Sequence, residues 1–240
     1  MTGTLPHVGF DIAAWAAAGL SFLWISRRPD VRPPPSRTGD LGYVAALVFG
    51  AGVGAFAFGT LNLWLSQQSG VARSIEGAIA GAIIAVELYK RHAGIATRTG
   101  ARFALPLAVG VAVGRIGCFF AGIDDFTHGT PTSLPWGHDF GDGTLRHPVQ
   151  LYESAAMAAF AIGYVVFRRN AFVIENGFYL AVGFYGAQRF AWEFIKPYGT
   201  VAGPFTLFHL LSAMIVVYAV VMIATAPRAN PRPVDDPAVA

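Results

Sequence analysis

Long apolar stretches follow one another along this chain, separated by short polar segments. A helix needs about 20 predominantly apolar residues to cross the hydrocarbon core of a bilayer. Seven segments reach or approach that length: 8–25, 41–65, 74–89, 103–121, 151–167, 171–195 and 204–225. The pattern predicts an all-α membrane bundle of about seven transmembrane helices. The third segment is the shortest, and it contains Glu76 and Glu87.

Composition supports a lipid environment. Of the 240 residues, 54% are hydrophobic and only 13% are charged, whereas soluble domains carry roughly 25% charged residues. The net charge of +3 comes from dispersed basic residues, so we infer no nucleic-acid partner. The single cysteine, Cys118, excludes an internal disulfide and a multi-thiolate metal site. No basic residue precedes the first apolar run, so we expect that helix to be retained.

The basic residues predict an orientation, because cytoplasmic loops of membrane proteins are enriched in Lys and Arg. Loops on the other face contain only Arg73, Arg146 and Lys196. We therefore predict an external N-terminus and a cytoplasmic C-terminus. The twelve residues of the basic face are Arg27, Arg28, Arg32, Arg37, Lys90, Arg91, Arg98, Arg102, Arg168, Arg169, Arg228 and Arg232.

The same pattern suggests a division of the chain. Residues 1–226 form the predicted transmembrane domain, with an external loop at 122–150. Because this loop contains Phe126, Trp136 and Phe140, we expect an ordered cap. Its His128 and His138 match no metal-site spacing, and a solvated acidic loop is the simpler interpretation. Residues 227–240 contain four prolines and are predicted to be a disordered cytoplasmic tail.

Two arginines, Arg115 and Arg189, lie within apolar spans, near their external ends. A charged residue at mid-membrane costs about 2.5 to 3.5 kcal/mol on insertion scales, so such a residue indicates function. The planar guanidinium suits phosphate, and two at one depth suggest a pocket for an anionic headgroup. The alternative is that each arginine pairs with Glu153 or Glu193 and holds helices together.

Other polar residues lie near the same end of the bundle. Tyr185, Arg189 and Glu193 follow i, i+4 spacing and form one stripe on the sixth span. His147, Gln150 and Glu153 mark the start of the fifth, where ordinary interfacial polar residues are the alternative interpretation.

Glu76 begins the third span at the same external end. A buried carboxylate there is suited to proton transfer. The equally weighted alternative is that Glu76 acts as a counter-ion for an arginine.

Four ordered blocks carry a resemblance to a known family. Together they span much of the second half of the chain, which makes the set more specific than any single block. The sequence resembles the bacterial prolipoprotein diacylglyceryl transferases. The blocks are 114–122 (GRIGCFFAG), 129–137 (GTPTSLPWG), 146–153 (RHPVQLYE) and 185–194 (YGAQRFAWEF).

The resemblance implies transfer of diacylglyceryl from phosphatidylglycerol to the lipobox cysteine of prolipoprotein signal peptides, the first step of lipoprotein maturation. It implies a multi-pass protein of the bacterial inner membrane, with no cofactor and no metal. Arg115 and Arg189 would hold the lipid phosphate, with Tyr185 beside them. Glu153 and Glu193 match supporting carboxylates, and Gly129 matches a loop glycine. We add Glu76 to the candidate catalytic residues, and His147 and Gln150 to the substrate-binding ones.

The chain departs from the family at the third span, where Glu76 stands at the position of a common histidine. The amino-terminal third resembles the family less than the remainder. Two other functions therefore remain open at this point. One is a diverged family member acting on another lipid or acceptor, and the other is a non-catalytic lipid-binding or transport protein.

Overall fold

The computed structural model describes residues 4–28 and 40–226. These residues form seven α-helices at the positions that the apolar segments predict. The expected tail 227–240, together with Arg32 and Arg37, lies outside the described residues. The helices are α1 Thr4–Ser26, α2 Leu41–Leu65, α3 Ile75–His92, α4 Ala104–Ala121, α5 Val149–Phe167, α6 Ala171–Glu193 and α7 Leu207–Ala224.

Five of the helices, α1, α2, α4, α5 and α7, are long and apolar enough to cross a membrane. The other two, α3 and α6, contain more charged residues than any of the five. Large apolar side chains point outward along the bundle, for example Trp15, which is 81% exposed, and Phe49 and Val217. Such a surface is stable against lipid rather than water. The chain is a helical, multi-pass membrane protein.

Polar residues fix where several helices begin. The side chain of Asp40 accepts from the backbone N–H of Gly42, and that of Ser74 accepts from Gly77 over 3.1 Å. Thr206 and His209 form a reciprocal capping box at the start of α7. These caps satisfy backbone donors that the first turn of a helix leaves free. The helices α2, α3 and α7 therefore begin at defined residues.

Glycines bring α2 and α3 into backbone contact. Gly50 faces Gly81, and Gly54 faces Gly77. A Cβ atom on any of the four would overlap a neighbouring backbone oxygen or a Cβ atom of the facing helix. Small residues of this kind let membrane helices approach closely. The contact also sets the position of Glu76, which directly precedes Gly77.

The remaining helices pack as α1 on α4, α4 on α5, and α6 on α7. Their buried apolar side chains form the core, which includes Ala108, Met157, Val182 and Leu211. The connections at one end of the bundle contain two short antiparallel pairs, β1 His138–Asp139 with β2 Leu145–Arg146, and β3 Thr200–Ala202 with β4 Phe205–Thr206. These segments lie next to the start of α5 and the end of α6.

Candidate functional site

Six charged side chains meet inside the bundle, at the end that has the β-pairs. Each residue is at most 5% exposed, and they come from α3, α4, α5, α6 and the segment after α6. We call this set the charge cluster. It consists of three cations and three carboxylates: Arg115, Arg189, Lys196, Glu76, Glu153 and Glu193. With every group ionised, the cluster has no net charge.

Glu153 lies at the centre of the cluster and pairs with all three cations. Its Oε1 lies 2.6 Å from Nη1 of Arg189 and 2.9 Å from Nζ of Lys196. Its Oε2 contacts Nε of Arg115. Removing one partner of a buried ion pair typically costs about 3–5 kcal/mol. Glu153 therefore ties α4, α5, α6 and the segment after α6 together.

Arg189 uses every nitrogen of its guanidinium. Nε donates to Oε2 of Glu76 over 3.1 Å, and Nη1 donates to Glu153. Nη2 lies 3.0 Å from Oε2 of Glu193, one helical turn further along α6. Three carboxylates from three helices thus fix the position of Arg189.

Hydroxyl groups donate hydrogen bonds to the two outer carboxylates, those of Glu76 and Glu193. Ser212 Oγ donates to Oε1 of Glu76 over 2.5 Å, and Thr206 Oγ1 donates to Oε1 of Glu193 over 2.6 Å. Each carboxylate therefore has one guanidinium partner and one hydroxyl partner, the latter supplied by the start of α7. These bonds reduce the cost of burying the charges.

Arg115 is less fully engaged than Arg189. Its Nε contacts Glu153, and its Nη1 lies 3.9 Å from Sγ of Cys118. A guanidinium has five N–H donors, so Arg115 retains donors for a ligand. Among the described residues, Oη of Tyr185 and Oε1 of Gln150 are also buried without a hydrogen-bond partner. These atoms offer polar contacts that the folded chain itself does not use.

Gly129 and His147 lie in the loop layer over this end of the bundle. The N–H of Gly129 donates to the carbonyl of His147 over 2.9 Å, and Thr130 N donates to the carbonyl of Ile195 over 2.7 Å. Nδ1 of His147 lies 3.4 Å from Oη of Tyr152. The loop is thereby fixed beside the segment that contains Lys196. In the described part of the chain, no hydrogen bond joins His147 to the charge cluster.

Comparison with known proteins identifies the family. The family model described as "Prolipoprotein diacylglyceryl transferase" matches residues 13–225. The chain belongs to the prolipoprotein diacylglyceryl transferase family. This match covers all four sequence blocks and every residue of the charge cluster.

Curated members of the transferase family resemble the chain over most of its length. Three of these relatives share the name phosphatidylglycerol–prolipoprotein diacylglyceryl transferase. The protein from Methylocella silvestris is 32% identical over 92% of this chain and 85% of its own length. The one from Geobacter sulfurreducens is 33% identical over 69% of this chain and 68% of its own. The one from Cupriavidus pinatubonensis is 28% identical over 94% and 91%. No solved structure gave a significant match.

Lys196 is a member of the cluster that our sequence interpretation missed. We counted it among the charges of an external loop, and it does lie in the segment after α6, but it is only 5% exposed. Its spacing of three from Glu193 and seven from Arg189 was the available signal, since helical turns continue past the end of α6. Burial, and next the charge of Arg189, lower the pKa of Lys196 to about 8, although Glu153 opposes this shift.

The acidic residues of the loop between β1 and β2 have structural roles. Oδ1 of Asp139 accepts the backbone N–H groups of Gly141, Asp142 and Gly143 within 3.1 Å. Arg146 pairs with Asp142 at 2.7 Å, and this pair holds the pKa of the exposed Asp142 carboxyl below its usual range. The carboxylates therefore shape the turn between β1 and β2.

Proposed function

We propose that this protein transfers the diacylglyceryl group of phosphatidylglycerol to the lipobox cysteine thiol of a prolipoprotein. The cysteine sulfur attacks the glycerol carbon, the C–O bond to phosphate breaks, and glycerol phosphate leaves. The thiol proton passes to a protein base. Family membership and the names of the relatives support this reaction. The observation that carries it is Arg115, a buried cation of the charge cluster that retains unused donors.

In this proposal Arg115 binds the lipid phosphate and stabilises the charge that develops as the phosphate leaves. Arg189 contributes its charge but is held by three carboxylates, so we assign it a supporting role in phosphate binding. Tyr185 supplies a hydroxyl, and Gln150 an amide oxygen, to the polar part of the lipid. Gly129 and His147 border the lipid headgroup from the loop layer.

The proton acceptor in this proposal is Glu76. Three cations hold Glu153 in its ionised form, which makes it a weak base. Glu76 has a single cationic partner, Arg189, and begins α3 at the position where the family resemblance places a histidine. Glu193 positions Arg189 in the same arrangement. The reaction then needs no metal or organic cofactor.

We place the cluster at the external face of the bacterial inner membrane. In this topology all seven helices cross the bilayer, the N-terminus lies outside and the C-terminus lies in the cytoplasm. The support is the basic end of the bundle, where Lys90 and Arg91 lie about 21–22 Å along α3 from Glu76. The 122–150 segment is a cap over the transmembrane catalytic domain 1–226, and 227–240 is the cytoplasmic tail.

The test is transfer by the purified protein. Phosphatidylglycerol and a lipobox peptide are incubated with it, and peptide mass and released glycerol phosphate are measured. Arg115→Ala should abolish both signals, whereas Arg73→Ala, an exposed arginine at the same end, should retain them. If the wild-type protein binds lipid but gives neither product, the transferase proposal fails and a non-catalytic lipid-binding role replaces it.

A further inference from the structure

A cavity lies at the end of the bundle opposite the charge cluster. Its volume is about 980 Å³, and it is bounded by the last turns of α3 and α7 and by the segment between α3 and α4. We call it the basal groove. Four charged residues line it, and none of them belongs to the proposed catalytic site: Glu87, Lys90, Arg91 and Arg98.

The charges of the basal groove do not balance. Lys90 pairs with Glu87 at 3.1 Å, so these two largely cancel. Arg91 is exposed, and within the described residues no carboxylate lies at ion-pair distance from it or from Arg98. The groove therefore has an excess of two positive charges, in contrast to the neutral charge cluster.

Arg98 is fixed by neutral groups only. Nη1 donates to Oδ1 of Asn176 over 2.9 Å, Nη2 donates to the carbonyl of Met222, and the guanidinium lies 4.9 Å from the centre of the Tyr179 ring. These contacts hold the side chain in place without neutralising it. A guanidinium that is positioned but uncompensated is suited to an anion from outside the chain.

The other wall of the basal groove is apolar and faces outward. Ile84 and Leu88 on α3 are 55% and 62% exposed, and they lie about two turns and about one turn, respectively, from the basic end of the helix. Apolar side chains exposed on a membrane helix contact acyl chains. The groove thus combines an apolar wall with a cationic base. It is therefore complementary to an anionic phospholipid that lies along the bundle, with its acyl chains on the wall and its phosphate at the base.

We propose that the basal groove binds an anionic phospholipid from the leaflet opposite the charge cluster. Arg91 and Arg98 contact its phosphate, and Ile84 and Leu88 contact its acyl chains. Basic pockets at the ends of transmembrane helices recognise anionic headgroups, and each basic side chain strengthens binding about fivefold. The site is separate from the proposed donor site and does not depend on the transfer reaction.

Binding can be measured by native mass spectrometry of the whole protein in detergent. The probes are dioleoyl phosphatidylserine, which is anionic, and dioleoyl phosphatidylcholine, which is zwitterionic. We expect phosphatidylserine to bind more tightly, and Arg91→Gln and Arg98→Gln each to weaken it about fivefold. Arg169→Gln is the matched control, because Arg169 is exposed at the same end of the bundle but does not line the groove.

Two features of the design keep the result interpretable. Arg91 makes no described contact that folding requires, so Arg91→Gln tests the proposal even if Arg98→Gln fails to fold. The preference should persist in Arg115→Ala, which removes the proposed donor site. Equal binding of the two lipids, unchanged binding in Arg91→Gln, or an equal loss in Arg169→Gln would overturn the proposal. A protein without transferase activity that keeps the Arg91-dependent preference would refute only the proposed function.

Discussion

Nη1 of Arg189 donates to Oε1 of Glu153 over 2.6 Å, which joins α6 to α5 inside the bundle. The same carboxylate also pairs with Arg115 and Lys196. The ion pairs confirm the alternative that the arginines pair with carboxylates and join helices, whereas phosphate binding stays a proposal. They hold helices together through Glu153, and Arg115 still has donors to offer to a phosphate.

Replacing Glu153 by Gln should both inactivate and destabilise the protein. The change leaves three buried cations with two carboxylates, and an unpaired buried charge costs about 3–5 kcal/mol. We expect transfer to fall below detection and the thermal unfolding midpoint in detergent to drop. Glu175→Gln, which removes an exposed carboxylate of α6, serves as the control. An unchanged midpoint in Glu153→Gln would show that the ion pairs contribute little to folding.

Lys196→Arg should remove a pH dependence of lipid binding. The pKa of Lys196 is lowered to about 8, so raising the pH through 8 removes its proton and gives the cluster a net negative charge. That charge opposes a lipid phosphate, so KM for phosphatidylglycerol should rise above pH 8, by at most about tenfold per pH unit. Arginine stays protonated, and KM in the variant should stay level. Parallel profiles for the two proteins would contradict this role.

Gly129→Ala should disrupt the loop layer. A Cβ atom at this position would lie 2.5 Å from Cβ of His147 and 2.8 Å from its carbonyl oxygen. The loop segment that contacts Ile195 must then move, and overpacking of this kind costs about 1–3 kcal/mol. We expect transfer activity to fall. Gly163→Ala is the comparison, since a Cβ there meets nothing within 4 Å. Equal activity of the two variants would show that the loop tolerates displacement.

Gly54→Ala should separate α2 from α3. The added methyl group would overlap the carbonyl oxygen of Gly77, the residue after Glu76. We expect a lower unfolding midpoint and reduced transfer, because Glu76 would shift relative to Arg189. Gly52→Ala adds the same methyl group to α2 where no atom lies within 4 Å. If both variants behave like the wild type, the close contact between the helices is not required.

The helix positions followed from the sequence because length and hydropathy are local properties. The segment 41–65 matches α2 residue for residue, and the other ends differ by at most four residues. The least apolar of the predicted spans, α3 and α6, are the ones that bring Glu76, Arg189 and Glu193 into the interior. Their charged residues lower their hydropathy and also supply half of the cluster.

The partners within the cluster did not follow from the sequence. Spacing placed Tyr185, Arg189 and Glu193 on one face of a helix, but it could not show that Glu153 forms ion pairs with three cations. That sharing depends on how α4, α5, α6 and the segment after α6 pack together. The hydroxyl of Ser212 was missed for the same reason, since it reaches Glu76 from 136 positions away. A residue just past a helix end, such as Lys196, is easily predicted to be exposed to water although it is buried.

The distribution of the charges has a consequence for biosynthesis. Glu76 is synthesised with α3, more than 100 residues before its partner Arg189 is translated. Arg115 likewise precedes Glu153, and Glu153 precedes both of its other cations. α3 and α4 therefore each carry a charged residue whose partner is supplied by a later part of the chain. A chain that ends before α6 lacks the cationic partner of Glu76 and two of the three cationic partners of Glu153.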